Sequence, residues 1–360
     1  MAYTTKENKA GSTSPISVGI LGASGYTGAE LIRLLHNHNE MEIKFVTADR
    51  HSGKTIAAVF PHLAHLPLPD LVSLDEVDVD KADAIFCALP HGTTQKVISE
   101  FFKNYPKKKI VDLSADFRFR DVNVYAKWYG HSHQAPDLQS EAVYGLTEIY
   151  RASICSTRLC ANPGCYTTTA ELPLIPLLEE GLISRDDIII DAKSGVSGAG
   201  RSEKQANLHT EVSEGTHAYG IGAHRHAPEI EQELSRAANG EVLVSFTPHL
   251  IPMNRGILAT IYVRPTGKVT EKDLRACLEN RYAEEPFVHV LQDCAPSTRD
   301  VRGSNRCHIG VSNDRSPGRA IIVSVTDNLV KGAAGQAIQN MNLMCGLPET
   351  MGLDQLTLFP

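Results

Sequence analysis

One segment of this chain is well built to hold a reactive sulfur: Ala161-Asn162-Pro163-Gly164-Cys165-Tyr166, followed by Thr167-Thr168-Thr169. Pro163 drives Asn162 out of the α region, and Gly164 permits a sharp turn. Cys165 then falls at or just before a helix start, where free backbone N–H groups and the helix dipole favour a thiolate. A thiolate so placed can attack an acyl carbon. The same residues also suit a small buried cysteine at a tight turn, and the local sequence leaves both readings open. The other cysteines, Cys87, Cys155, Cys160, Cys277, Cys294, Cys307 and Cys345, lack such a setting. Cys87 lies within an apolar strand-like run and reads as core.

A sulfur nucleophile needs a group that manages protons. Among fifteen histidines, those in Gly222-Ala223-His224-Arg225-His226-Ala227-Pro228-Glu229-Ile230 stand out. Pro228 suits the first turn of a helix, which puts His226 at the helix mouth. The dipole there disfavours imidazolium, and a neutral ring can accept a proton. With His224 so near, one of the pair faces the site and the other is structural; the sequence does not order them. Arg225 adds positive charge. Arg118, in Asp112-Leu113-Ser114-Ala115-Asp116-Phe117-Arg118, could fork onto phosphate or carboxylate, or form a surface ion pair. Ser194-Gly195-Val196-Ser197-Gly198-Ala199-Gly200-Arg201 crowds small residues beside Arg201 and offers backbone donors to an anion or a nicotinamide.

A second chemistry begins nearer the N-terminus. Gly22-Ala23-Ser24-Gly25-Tyr26-Thr27-Gly28 joins an apolar run to a helical pattern at Leu31, Ile32, Leu34 and Leu35. Glycines between a strand and a helix let backbone N–H groups approach a pyrophosphate. The spacing is G-x-x-G-x-x-G, a variant of the usual fingerprint. NAD enzymes place an acid at the end of the next strand. Here that strand ends through Val46 and Thr47, and Arg50 and Lys54 follow, so the reading is NADP with Arg50 toward the 2′-phosphate. Asp49 would reach the ribose if the register were shifted. Asn328, in Asp327-Asn328-Leu329-Val330-Lys331, follows a late strand, and its amide could hold the nicotinamide carboxamide.

These groups must be carried by elements. Short apolar runs at 16–21, 42–48, 84–89 and 110–113 alternate with helical stretches, the pattern of a parallel sheet covered on both faces. Later strand-like runs at 188–192, 242–247, 257–263 and 320–325 lack regular intervening helices, so a mixed sheet with helices on one face is expected. Residues 331–344 read as a helix. The expectation is an α/β chain with a Rossmann domain over 16–160, completed by 329–360, and an α+β domain over 161–328. Residues 1–15 read as a disordered lead-in.

Composition narrows the function classes. Apolar residues at 42% and charged residues at 21% fit an ordinary globular chain of 360 residues, long enough for more than one domain. The formal net charge of −7 supplies no basic field for nucleic acid or an anionic membrane. No apolar run reaches the roughly 18 residues that span a bilayer. No cysteine pair has C-x-x-C spacing, so no metal site is expected and free thiols in a reducing cytoplasm are.

Taken in order, GASGYTGAEL, ALPHG, DLSADFR, YGLTE, ANPGCYTT, SGVSGAGR, GAHRHAPEI, PHLIPMNRGI and DNLVKGAAGQA resemble the N-acetyl-γ-glutamyl-phosphate reductase family over nearly the whole chain. The resemblance implies a Rossmann domain completed by the C-terminal helix, an inserted α+β domain, NADPH as reductant and a place in arginine biosynthesis. It puts the nucleophile on Cys165 and the histidine pair on His224 and His226. It groups Ser24, Tyr26, Thr27 and Pro90 with the glycines, Arg50, Gly195, Ser197, Gly198 and Asn328 around the cofactor. It leaves Arg118, Asn162, Arg201 and Arg225 for the substrate. It also implies a homodimer or homotetramer. The acyl group is set by pocket shape, so an aspartyl or carrier-linked aminoadipyl phosphate reductase stays open, as does a catalytically silent NADP-binding sensor.

Overall fold

The computed structural model describes residues 14–201, 203, 205, 208–292 and 295–359. The expected lead-in falls almost wholly outside these residues. Two seven-stranded sheets organise the chain, and each follows from a different hydrophobic pattern.

The first sheet is built from β1 (Ile16–Leu21), β2 (Met41–Thr47), β3 (Leu71–Val72), β4 (Ala84–Cys87), β5 (Lys109–Asp112), β6 (Val143–Tyr144) and β7 (Leu159–Ala161). Its order is β3-β2-β1-β4-β5-β7-β6, and every pairing is parallel. Continuous apolar runs suit strands buried on both faces, and all of β4 is buried. The helix Tyr26–Leu35 and the late helix Gly335–Met344 pack on one face; Thr94–Asn104 packs on the other. Chain order reverses at β1, between β2 and β4. In such sheets the crevice beyond the strand ends at this point is where ligands bind.

The second sheet collects β8 (Ile188–Gly195), β9 (His217–Ala218), β10 (Val244–Ile251), β11 (Ile257–Val263), β12 (Val288–Leu291), β13 (Cys307–Asn313) and β14 (Ala320–Thr326). Its order, β12-β13-β14-β11-β8-β10-β9, mixes parallel and antiparallel pairs. Burial alternates strictly along β11, so only one face is fully covered. The helices Cys165–Glu179, Ala227–Ala237 and Glu271–Tyr282 cover that face and form one core with it.

The helix Cys165–Glu179 is buried from Tyr166 to Leu178, although Pro173 and Pro176 lie inside it. A proline removes the N–H that would bond the carbonyl four residues back. The Tyr282 hydroxyl donates to the Leu172 carbonyl that Pro176 leaves free.

The late helix differs from its sequence expectation. Val330–Ala334 forms a π turn before the α-helix Gly335–Met344 begins. The Asp327 carbonyl accepts from both Val330 N (3.2 Å) and Gly332 N (2.9 Å). Buried Lys331 donates to Glu148 at 2.6 Å and to Gln339 at 2.8 Å, tying this turn to the first sheet's layer. Strand β10 also lies later than the apolar run at 242–247 suggests.

Candidate active site and cofactor trough

Cys165 is the first residue of its helix and Gly164 is the N-cap, in extended conformation. The turn is held from below by Glu229, a fully buried residue of the helix Ala227–Ala237. Its carboxylate accepts from Gly164 N (2.9 Å), Thr167 Oγ1 (3.0 Å) and Tyr144 OH (2.8 Å), and pairs with Arg118 at 3.2 Å. Gly332 of the π turn closes the other side: a β-carbon there would stand 2.8 Å from Cys165 Cβ.

The sequence leads one to expect a thiol made acidic by the helix start. In this protein burial pushes Cys165 up to about 11, against the lowering pull of Arg118 and the Tyr166 N–H. Ionisation therefore needs a proton acceptor and not the helix start alone. Cys87, Cys160 and Cys307 are also raised by burial, and all three are sealed in the core.

Cys165 and His226 open into one cavity of about 290 Å³, bounded by the glycine loop, the cysteine turn and the π turn. His226 caps the N-terminus of Ala227–Ala237, with Pro228 in the first turn as the sequence indicates. Its Nδ1 is buried without a hydrogen-bond partner. Burial, then His224, Arg118, His91 and Arg225, hold the ring well below the ordinary imidazole range, so it is neutral at neutral pH. His224 sits behind it, 4.8 Å away between ring centroids, among Tyr166, Tyr219 and Phe246. His224 Nδ1 accepts from the His226 backbone N–H at 3.1 Å. Burial, reinforced by Arg225, lowers it to about 4. His226 thus faces the cavity and His224 supports it.

A second hollow of about 960 Å³ continues the first past Gly22, Gly25 and Ala88. The three loop glycines serve different ends. Gly22 has a φ of +81°, and a β-carbon would lie 2.5 Å from the Ala88 carbonyl oxygen; at Gly28 one would lie 2.6 Å from Ala23 Cα. At Gly25, the N-cap of Tyr26–Leu35, the nearest atom would be 3.8 Å away, so a side chain would instead enter the hollow. Tyr26 and Thr27 line the first cavity; Ser24, Arg50 and Pro90 line the second. Thr47 Oγ1, at the end of β2, accepts from Gly22 N at 3.2 Å.

Ser197 and Gly198 also reach the first cavity. The Asn328 amide pins their loop, donating to Ser197 Oγ at 2.9 Å and accepting from Gly256 N at 2.8 Å. Gly195 ends β8 and donates to the Gly256 carbonyl at 2.9 Å; a β-carbon on it would strike Asn254 and Arg255.

Of the four residues expected at the substrate, Arg118, Asn162 and Arg201 line the cavity of Cys165, and Arg225 stands apart. Arg118 is no surface pair: it is buried and donates to Asn162 O (2.7 Å), Leu113 O (3.0 Å) and Glu229. N–H groups remain on both its terminal nitrogens, and it lines the cavity. Asn162 borders the cavity too, but its amide donates to Ala333 O at 3.2 Å and accepts from Asn340 at 3.2 Å, which clamps the cysteine turn to the π turn. Arg201 borders both hollows, donating to Ser24 O at 2.8 Å with its guanidinium 4.7 Å from the Phe60 ring centroid. Arg225 rests over Tyr129, 4.8 Å from its ring centroid.

Sequence reasoning missed Glu229, which carries no signal beyond its place after Pro228. It also missed His91, which follows β4 in ALPHG and lines the cavity.

The fold and the paired cysteine–histidine cavity define a dehydrogenase of the semialdehyde class. Residues 17–157 match the semialdehyde dehydrogenase NAD-binding domain and residues 165–328 its dimerisation domain. Among solved structures, aspartate semialdehyde dehydrogenase II of Vibrio cholerae, complexed with ASA, superposes with a TM-score of 0.68 at 16% identity, covering 93% of this chain and 99% of its own. The Candida albicans aspartate semialdehyde dehydrogenase with NADP gives 0.66 at 19% identity, covering 92% and 99%. Both show a shared fold. Closer in sequence are the N-acetyl-γ-glutamyl-phosphate reductase of Afipia carboxidovorans, 60% identical over 94% of this chain and 97% of its own, and the probable chloroplastic one of Oryza sativa, 56% identical over 99% and 86%. Within the semialdehyde dehydrogenase class, the chain belongs to the N-acetyl-γ-glutamyl-phosphate reductase family and is an oxidoreductase.

Proposed function

We propose that this enzyme reduces N-acetyl-γ-glutamyl phosphate to N-acetylglutamate 5-semialdehyde with NADPH, through a thioester on Cys165, as a step of arginine biosynthesis. The observation that carries the mechanism is the opening of Cys165 and a neutral, partnerless His226 into one cavity.

His226 takes the proton of Cys165 Sγ. This is needed because burial raises the thiol. The sulfur bonds to the γ-acyl carbon, the acyl C–O bond to phosphate breaks, and its electron pair leaves on the phosphate oxygen, which takes a proton from solvent to give hydrogen phosphate. The free N–H groups of Arg118 hold the departing charge. The dinucleotide, when bound, supplies the hydride that reduces the thioester. His226 returns its proton to the sulfur as the aldehyde departs.

The residues present suit a dinucleotide. Gly22 and Gly28 have no room for a side chain, while Gly25 leaves open the space a pyrophosphate needs. Thr47 in place of an acid and Arg50 in the adjoining hollow support NADP over NAD. Asn328, with an N–H to spare, remains our candidate for the nicotinamide carboxamide.

Phosphate-dependent reduction of NADP tests the reading, with N-acetylglutamate semialdehyde and aspartate semialdehyde compared as substrates. A rate independent of phosphate, or preference for aspartate semialdehyde, would overturn it.

We also propose a homodimer or homotetramer formed through the half-exposed face of the second sheet, which carries Lys193, His249 and Thr260. The match to a dimerisation domain supports this. Light scattering of the eluted protein would test it. No helix among the described residues is long and apolar enough to cross a membrane. A cytoplasmic location is our reading of the isolated cysteines, which suit a reducing compartment.

A further inference from the structure

His91 follows β4 at the mouth of the active-site cavity, and its ring orientation is fixed by its surroundings. Nδ1 accepts a hydrogen bond from Ala115 N at 2.9 Å. A backbone N–H can only donate, so Nδ1 carries the lone pair and the neutral ring holds its proton on Nε2. Tyr129 meets the ring edge-on at 5.8 Å between centroids. The residue is nonetheless exposed and lines the cavity. With Nδ1 engaged by Ala115, Nε2–H is the one ring donor of this cavity-lining residue, and no hydrogen bond among the described residues uses it.

The loop that fixes His91 also presents Arg118. Ala115 holds the imidazole, and Arg118, on the same loop, lies beside the cysteine turn. Asp116, between them, accepts from Gly92 N (2.8 Å), Thr94 N (3.1 Å) and Thr94 Oγ1 (2.7 Å). It thereby caps the helix Thr94–Asn104 and locks the turn just after His91. That helix start is already satisfied by a carboxylate and offers no anion site of its own. Of the residues of this wall that line the cavity, His91 keeps Nε2–H and Arg118 keeps its spare N–H groups.

We infer that His91 is a ligand of the phosphoryl group, donating from Nε2–H to a phosphate oxygen beside Arg118. It transfers no proton. In the thiolysis step the acyl C–O bond breaks toward phosphate, the leaving oxygen takes a proton from solvent, and His91 and Arg118 hold the other oxygens; in reverse they hold inorganic phosphate, which gives that proton back to solvent as it attacks the thioester. A neutral donor completes the anion's coordination without a second full charge that would slow its release.

The inference rests on the proposed reaction, and the test separates the two. Aldehyde oxidation is measured at varied inorganic phosphate for wild type, His91→Ala and His91→Gln. Wild type that needs no phosphate would sink the reaction itself. With that need established, His91→Ala raises the phosphate KM about tenfold or more, as for a lost hydrogen bond to a charged group. Its aldehyde KM and NADP Kd stay within about twofold, and His91→Gln, which restores an N–H, recovers part of the loss. An unchanged phosphate KM in His91→Ala overturns the inference. Should the variants not fold, imidazole NMR of wild type decides: the His91 Nε2–H resonance shifts as inorganic phosphate is titrated in, and a resonance that does not move also overturns it.

Discussion

His226 Nε2 stands 2.6 Å from the point where a β-carbon on Gly164 would lie. The same point is 3.0 Å from Arg118 Nη1. Gly164 has an extended backbone that any residue could adopt, so its identity answers to space and not to conformation. The missing side chain lets an imidazole and a guanidinium close on the residue before the nucleophile.

Cys165→Ser is expected to fold, since serine is nearly isosteric and suits a helix N-terminus. It should bind NADPH as wild type does, and turnover should fall by at least about three orders of magnitude. Stopped-flow turnover beside NADPH titration checks this, and iodoacetamide should label Cys165 before buried Cys87. Near-normal turnover in Cys165→Ser would exclude a covalent intermediate at this residue.

His226→Asn should lower kcat by about a hundredfold or more, the loss usual for a general acid–base. His224→Asn should cost less, because its ring supports His226 through the backbone bond and edge contacts. Steady-state kinetics of the two variants decides the order; a larger loss in His224→Asn would exchange their roles.

Acid stability carries the same signature. His224 ionises at about 4 in the folded protein and near 6.5 when unfolded. Between those values the unfolded chain binds more protons, so stability is complete above pH 6.5 and drains away as pH falls toward 4. His224→Gln should therefore show a smaller drop in Tm between pH 7.5 and pH 5 than wild type. An equal drop would remove His224 from the account.

Gly25→Ala should leave Tm within about 2 °C of wild type, because the backbone conformation is ordinary and the added carbon meets open space. Its NADPH Kd should rise at least about tenfold if the pyrophosphate lies there. Gly22→Ala should instead lower Tm substantially, since it meets both a positive φ and the Ala88 carbonyl. Tight NADPH binding by Gly25→Ala would move the pyrophosphate elsewhere.

Arg50→Ala should reduce the preference for NADP over NAD in kcat/KM by about tenfold or more, with NAD use little changed. If the preference stands, Arg201, which borders the same hollow, becomes the candidate for the 2′-phosphate.

Much of this was legible in sequence because it rests on local chemistry. Pro163-Gly164-Cys165 specifies its own turn, Pro228 fixes a helix start under His226, and a strand–glycine–helix run declares its crevice. The alternation of apolar runs separated a parallel sheet from a mixed one. What was not legible depends on distant partners. Strands β3, β6 and β9 are two-residue edges with no periodicity to read. The structural bonds of Asn162 and Asn328 were not legible either, because the carbonyl and hydroxyl their amides hold come from distant segments. That Arg201 donates to the Ser24 carbonyl while bordering both hollows depends on a contact across 177 residues that local sequence does not encode. The raised thiol of Cys165 depends on burial, which its neighbours in sequence do not encode.

The π turn gives the order of synthesis a meaning. Gly332 forms one wall of the seat of Cys165, yet it is made 167 residues later, after every strand of both sheets. A ribosome adds about 5–20 residues per second, so the cysteine turn and the first sheet, whose last strand ends at Ala161, wait on the order of ten seconds or more with that wall missing. Lys331 and Glu148 then meet as the last turn docks, and a buried charge pair forms only when both partners arrive together. A chain stopped short of this turn holds the nucleophile, the base and the glycine loop in full, but not the wall that fixes the sulfur's place. The reactive thiol therefore comes under control as one of the final acts of folding.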